Sequence, residues 1–239
     1  MRMRSTLAMG LLVVSASCAA PVADDVSDGV TIAPRDFVLL PCGADGSNQS
    51  CALVVAGGKR VLFGGSAGTA ASLPEAELRQ LDSVMLFSLR ARDIGGLDEI
   101  RNESWRAGRE IPLLTIGPRG TRSVVDALNS AYEQADALRI VEEGIPAGGY
   151  DAAILVAREA KDDQVVFDTG DVQVVRFSGG YRISYDNKAT VDLLPCGDTA
   201  GNGVASTEAQ VSVSCHTTDG SLTWPLREPY FVVRDSAAL

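Results

Sequence analysis

One long helical period sits in the middle of an otherwise strand-patterned chain, and that order narrows the class of fold. Val124, Val125, Leu128, Ala131, Tyr132, Ala135 and Leu138 recur at steps of three and four residues, which puts them on one apolar stripe of a helix. Gly117-Pro118-Arg119-Gly120-Thr121 precedes it as a tight turn, with Thr121 placed to cap the helix. Upstream, Phe37–Leu40, Ala52–Val55, Arg60–Phe63, Val84–Phe87 and Ile111–Ile116 read as short apolar strands, and Gly57-Gly58 lies at hairpin spacing. Leu73-Pro74-Glu75-Ala76-Glu77-Leu78 carries the proline and acids of a helix start, and residues 94–106 read as a glycine-led turn into a short helix. Downstream, segments 152–157, 164–168, 172–177, 181–185, 189–194, 210–214 and 231–233 are short, apolar or alternating strands. This order predicts an α/β sandwich: two sheets with helices on their outer faces.

The chain of 239 residues suits one sizeable domain with a substantial core. A formal charge of −10 argues against a nucleic-acid surface, which carries a basic excess. Met1-Arg2-Met3-Arg4 followed by apolar Thr6–Ala16 reads as an export signal, too short to span a bilayer of roughly 30 Å as a helix. Ser15-Ala16-Ser17-Cys18 resembles a bacterial lipobox, with Cys18 as the lipidated mature N-terminus. Ordinary cleavage after Ala20, leaving a soluble periplasmic protein, is the competing reading. Residues 1–17 are then the signal, 18–35 a small, acidic tether, and 36–239 the folded domain. The membrane is met only through the lipid anchor.

With Cys18 set aside, Cys42, Cys51, Cys196 and Cys215 make an even set for an oxidising compartment. Their spacing favours local pairs, Cys42–Cys51 and Cys196–Cys215, with crossed pairing left open. No C-x-x-C pair is present, which disfavours a four-cysteine zinc site. Ser66 in Gly64-Gly65-Ser66-Ala67-Gly68 approaches a nucleophile elbow, but His216, the sole histidine, lies 150 residues later with nothing to bring it near. His216 reads as an ordinary strand-end residue. The acidic pairs Asp24-Asp25, Glu142-Glu143 and Asp162-Asp163 read as solvated surface. Neither a phosphate-binding loop nor a dinucleotide fingerprint occurs, and no cofactor is expected.

Residues 84–97, Val-Met-Leu-Phe-Ser-Leu-Arg-Ala-Arg-Asp-Ile-Gly-Gly-Leu, resemble the H-x-H-x-D-H strand end of the metallo-β-lactamase superfamily with the ligands gone. The apolar strand and the Ile94-Gly95-Gly96-Leu97 tail match. Ser88 and Arg90 stand at the first two histidines, Arg92 at the aspartate and Asp93 at the last histidine. Further elements resemble the ribonuclease Z-like branch in the same order: Leu39–Gly43, the glycine run Gly58–Thr69, and Gly108-Arg109-Glu110-Ile111-Pro112-Leu113 followed by Gly117–Thr121. The helix with Ala131-Tyr132 and Arg139 follows, then Tyr181-Arg182-Ile183 leading to Gly197-Asp198-Thr199.

The resemblance implies an αββα sandwich of that type. Zinc chemistry in the family rests on imidazole and carboxylate ligands that leave a position for water. Here Gly64 stands at a further aspartate, the segment after Phe177 is too short to bring another histidine, and only Asp198 of the metal-contacting set is kept. The resemblance therefore implies a catalytically inactive relative with a binding or structural role in the cell envelope. Its partner would be an envelope protein or a small anionic ligand. Ser88, Arg90, Arg92, Asp93, Asp198 and Ser66 form the candidate cluster, either as ion pairs that repair the vacated site or as an anion pocket of guanidinium forks and glycine-loop amides. A hydrolase of the phosphodiesterase or esterase type with an atypical metal site is the competing reading.

Overall fold

Side chains of the first-half strands alternate between two destinations, and that alternation builds the layers. The structure, a computed structural model, describes residues 25–27, 30–43, 49–197, 209–215 and 221–235. In chain order the elements are β1 (Asp25–Ser27), β2 (Val30–Ile32), β3 (Phe37–Pro41), β4 (Ala52–Ala56), β5 (Lys59–Phe63), α1 (Glu75–Arg79), β6 (Ser83–Met85), α2 (Ala91–Ile94), α3 (Leu97–Arg106), β7 (Leu113–Gly117) and α4 (Thr121–Glu143). Then follow β8 (Leu155–Glu159), β9 (Gln164–Asp168), β10 (Val172–Phe177), β11 (Gly180–Tyr185), β12 (Ala189–Leu193), β13 (Val211–Ser214), β14 (Ser221–Thr223) and β15 (Tyr230–Val233).

The larger sheet runs β15-β3-β4-β5-β6-β7-β8 and the smaller β14-β13-β12-β11-β10-β9. Each is mixed: antiparallel hairpins are joined to parallel strands at β5–β8 and at β12–β14. The C-terminal strand β15 returns to pair with β3, so the N- and C-terminal parts of the chain share one sheet. Gly57 and Gly58 form the two-residue link between β4 and β5, with Ala56 opposite Lys59. Both glycines have positive φ, +55° and +71°, the conformation a hairpin of this twist requires.

Phe37, Leu39, Val54, Phe63 and Met85 point between the sheets, where they meet Val174, Tyr181, Ile183, Val191 and Leu193. The intervening Val38, Leu53, Val55, Leu62 and Val84 face the helices and pack with Leu78, Leu97, Ile100 and Val125. Strands β3, β4 and β5 are thus buried on both faces, which their unbroken apolar runs require. Each such side chain contributes about 1.5–3 kcal/mol relative to exposure. By contrast, β10 and β11 alternate between buried and half-buried positions. Among the described residues, all four α-helices fall between residues 75 and 143, and α4 packs on β7 and β8. None is long and apolar enough to cross a membrane.

Several local readings change. Secondary structure starts before Asp36: β1 pairs with β2 inside the segment read as a tether, and Ile32 joins the helix-side core. The strand expected over 152–157 begins only at Leu155, after a 3-10 turn at Tyr150–Ala153. Thr121 does not cap α4; its hydroxyl donates to the Pro118 carbonyl at 2.7 Å. The orphan amides are met instead by Glu159, whose Oε1 accepts from Gly120 N at 2.8 Å and Arg122 N at 3.3 Å. The apolar stripe of α4 also turns out to be only partly inward. Val125 is buried, but Ala131, Ala135 and Leu138 are exposed, and the inward position of the second half is Asp136.

Candidate functional site

The histidine-motif segment leaves the sheet at Phe87, after Leu86 N has bonded the Ile116 carbonyl at 2.7 Å. Its next residues turn back on themselves. The Ser88 hydroxyl donates to the Asp93 carboxylate and accepts from Arg90 N at 3.1 Å, so both side chains are spent on closing the helical turn α2. Asp93 also offers its carbonyl to Gly65 N at 3.1 Å, and Gly96 N donates to the Gly65 carbonyl at 2.8 Å. These bonds clip the motif to the glycine run after β5. They explain the retained Gly-Gly tail: a Cβ at Gly96 would overlap the Ser66 carbonyl. Gly64 is equally constrained. Its φ is +93°, and a Cβ there would overlap the Ser50 carbonyl, so the place of the family's aspartate has no room for a side chain.

The remaining sequence candidates separate. Arg92 is half-exposed, pairs with Asp93 at 3.4 Å, and donates from Nη2 to the Cys196 carbonyl at 3.1 Å. That bond ties the motif to the end of the second sheet, and the ion pair itself adds little because solvent screens it. Arg90 is exposed and makes no ion pair among the described residues. Ser66 is buried, with its carbonyl against Gly96. Asp198, His216 and Cys18 lie outside the described residues. Both local disulfides form, Cys42–Cys51 and Cys196–Cys215, with Cα–Cα distances of 5.4 and 5.3 Å.

Above Ser88 the two sheets part around a cavity of about 240 Å³. Phe87, Ser88 and Pro118 line it from the first sheet; Arg176, Tyr181 and Pro195 line it from the second. The segment after Phe177 is a two-residue turn, since Phe177 pairs with Gly180, and Gly179 and Gly180 close that side. Tyr181 is fully buried between Phe63 and Phe87, at ring-centroid distances of 5.4 and 5.6 Å, and donates to the Leu86 carbonyl at 2.8 Å. Burial pushes its hydroxyl well above the ordinary tyrosine range, with the charge of Arg176 acting in the opposite direction. Tyr181 is therefore a fixed neutral donor and not a base. Arg176 donates from Nε to Asp162 at 3.2 Å, while its Nη1 is buried without a hydrogen-bond partner.

Of the residues grouped from the sequence, Ser88 and Asp93 lie in contact, while Arg176, Tyr181 and Phe87 come together without having been grouped. The accessible signal was an arginine at the end of an apolar strand, immediately before a turn too short for the family's loop. A zinc ion does not fit the described residues of the site. Arginines stand at two ligand positions, Gly64 has no room for a carboxylate, and among the described residues no group of three or more His, Cys, Asp or Glu side chains could hold a metal ion.

Solved structures supply the class to which this architecture belongs. The metallo-β-lactamase fold protein YhfI from Bacillus subtilis superposes with a TM-score of 0.52 at 15% identity, over 75% of this chain and 71% of YhfI. Human tRNase Z, short form, superposes with a TM-score of 0.50 at 16% identity, over 74% of this chain and 76% of that one. The chain has the metallo-β-lactamase fold, as its motif order implied. At these identities it is the fold that is shared. No protein-family profile matches the chain, and no curated protein matches it in sequence.

Proposed function

We propose that this chain is an exported, lipid-anchored protein of the metallo-β-lactamase fold that binds an anionic ligand in the cell envelope and performs no zinc hydrolysis. The observation that carries the reading is the use of the ligand positions. Ser88 and Asp93 bond each other, Arg92 bonds the Cys196 carbonyl, and Gly64 is packed against Ser50. Re-creating a water-activating zinc site would require undoing each of these contacts, not only supplying imidazoles.

Metal analysis of the purified protein tests this. Zinc and iron are expected well below one per chain, with no change in thermal midpoint on adding a chelator. Stoichiometric metal, lost together with phosphodiesterase activity on chelation, would overturn the reading in favour of a hydrolase.

Export is supported by the basic-apolar leader and by two disulfides, which persist in oxidising compartments. Lipidation at Cys18 predicts partitioning into the detergent phase that Cys18→Ser abolishes. Equal partitioning of the two proteins would remove the anchor from the proposal.

A further inference from the structure

A second cavity, of about 550 Å³, lies on the helix side of the larger sheet, between α1, α3 and the turn after the glycine run. That volume is in the range of small-molecule sites. Ala70, Leu73 and Leu78 give it apolar walls, and all three are anchored in the helix-side core. Glu75, Glu99, Glu103 and Arg106 stand among them. No lining residue is shared with the cavity above Ser88.

Three carboxylates thus stand against one guanidinium, and none of the three is neutralised by a tight pair. Glu99 accepts from Gly68 N at 2.9 Å, a neutral donor that leaves its charge in place. Glu103 approaches Arg106 only to 3.9 Å, and with side chains 46% and 60% exposed that contact is worth little. Glu75 is exposed and has no ion-pair partner among the described residues. A recess with one sign of charge over apolar walls focuses its field on whatever enters. Glu75 and Glu103 reach solvent, so an entering ligand meets them directly. Such a lining attracts a cationic end, repels a carboxylate or phosphate, and offers apolar surface to the rest of the molecule.

We infer that this cavity binds a small amphiphilic amine, its ammonium group among Glu75, Glu99 and Glu103 and its apolar body against Ala70, Leu73 and Leu78. A bare polyamine would leave the apolar walls unused, and a neutral hydrophobe would leave the carboxylates unused. The site is separate from the former metal site, so its test is independent of the zinc reading.

Calorimetric titration of the full chain with phenethylamine, at constant ionic strength, tests the inference, with phenethyl alcohol and spermidine as comparisons. One saturable site per chain is expected for the amine, and both comparisons should bind at least about tenfold more weakly. Glu75→Gln plus Glu103→Gln should weaken the amine more than about tenfold. Ala71→Phe fills the cavity from an exposed lining position and should weaken it as much, with no change of charge. Glu142→Gln plus Glu143→Gln removes the same charge from exposed positions outside this lining and should leave affinity within about threefold. All these side chains are partly or fully exposed, so the free variants should keep stability to within about 0.5 kcal/mol. Equal affinity for amine and alcohol, spermidine binding as tightly as the amine, or no amine binding would overturn the inference. Equal weakening by the two glutamine pairs would also overturn it, since the chain's general negative charge would then account for the binding.

Discussion

Asp136→Ala is expected to destabilise the fold by about 3–5 kcal/mol, the cost of stripping the partner from a buried cation. Asp136 and Arg101 are 3% and 0% exposed, and they join α4 to α3 through a two-pronged pair at 3.1 and 2.5 Å. Arg109, 1% exposed, adds a second guanidinium nearby that has no ion-pair partner among the described residues. Burial and then the charge of Arg101 push the Arg109 pKa down to about 10. Asp136 is bonded to Arg101 while Arg109 bonds only Ser104 and the Ile111 carbonyl, and Arg101 Nε and Arg109 Nη2 already lack hydrogen-bond partners. The surroundings offer Arg101 only the Asn102 side chain at 2.8 Å and the face of Tyr132 at 5.2 Å, neither of them an anion. For a chain of this length the thermal midpoint should fall by about 6–20 °C. Asp136→Leu combined with Arg101→Met should recover most of the loss, since neither member of the pair is left stripped and the repulsion of Arg101 on Arg109 is removed as well. Because the pair is dry, its contribution should change little with added salt. A single-variant midpoint within about 2 °C of wild type would show that α3 and α4 are held by packing alone.

That interior pair also shows why the sequence was readable in some places and not in others. Phe37–Leu40, Ala52–Val55 and Arg60–Phe63 were legible because strands buried on both faces must be apolar throughout, and Gly57-Gly58 because a two-residue hairpin needs positive φ. Short closures made the cysteine pairs legible. The helix α4 was found for the right reason, yet its inward face was misassigned. Alanine is nearly neutral as a mark of burial, and an aspartate reads as excluded from a core until its arginine is seen 35 residues away in sequence. The short turn α2 was invisible because Ser88 and Asp93 close it with side chains, not with a periodic apolar pattern. At the site, local spacing identified the strand end but not the cavity. Phe87 and Arg176 belong to different sheets, and an arginine at a strand end reads as solvated until the opposing sheet covers it.

Reduction of both disulfides is expected to cost about 5–6 kcal/mol and to lower the thermal midpoint by more than about 10 °C. The chain-entropy estimate is about 3 kcal/mol for each, from sequence separations of 9 and 19 residues. The two bridges are also mechanically linked. Cys196 N donates to Ser50 Oγ at 2.7 Å, next to Cys51, while the Cys196 carbonyl accepts from Arg92. Opening Cys196–Cys215 thus loosens the point where the second sheet grips both the first disulfide and the motif segment, beside the Pro195 wall of the cavity. Two double variants separate these effects in a thermal melt. Cys42→Ala plus Cys51→Ala should lose about 3 kcal/mol, the loop-closure contribution alone. Cys196→Ala plus Cys215→Ala should lose more than that, because the contacts of Cys196 with Ser50 and Arg92 loosen with it. A midpoint that moves by less than about 2 °C on full reduction would break the argument for export on stability grounds, because such a fold would persist equally well among the reduced thiols of a cytosol.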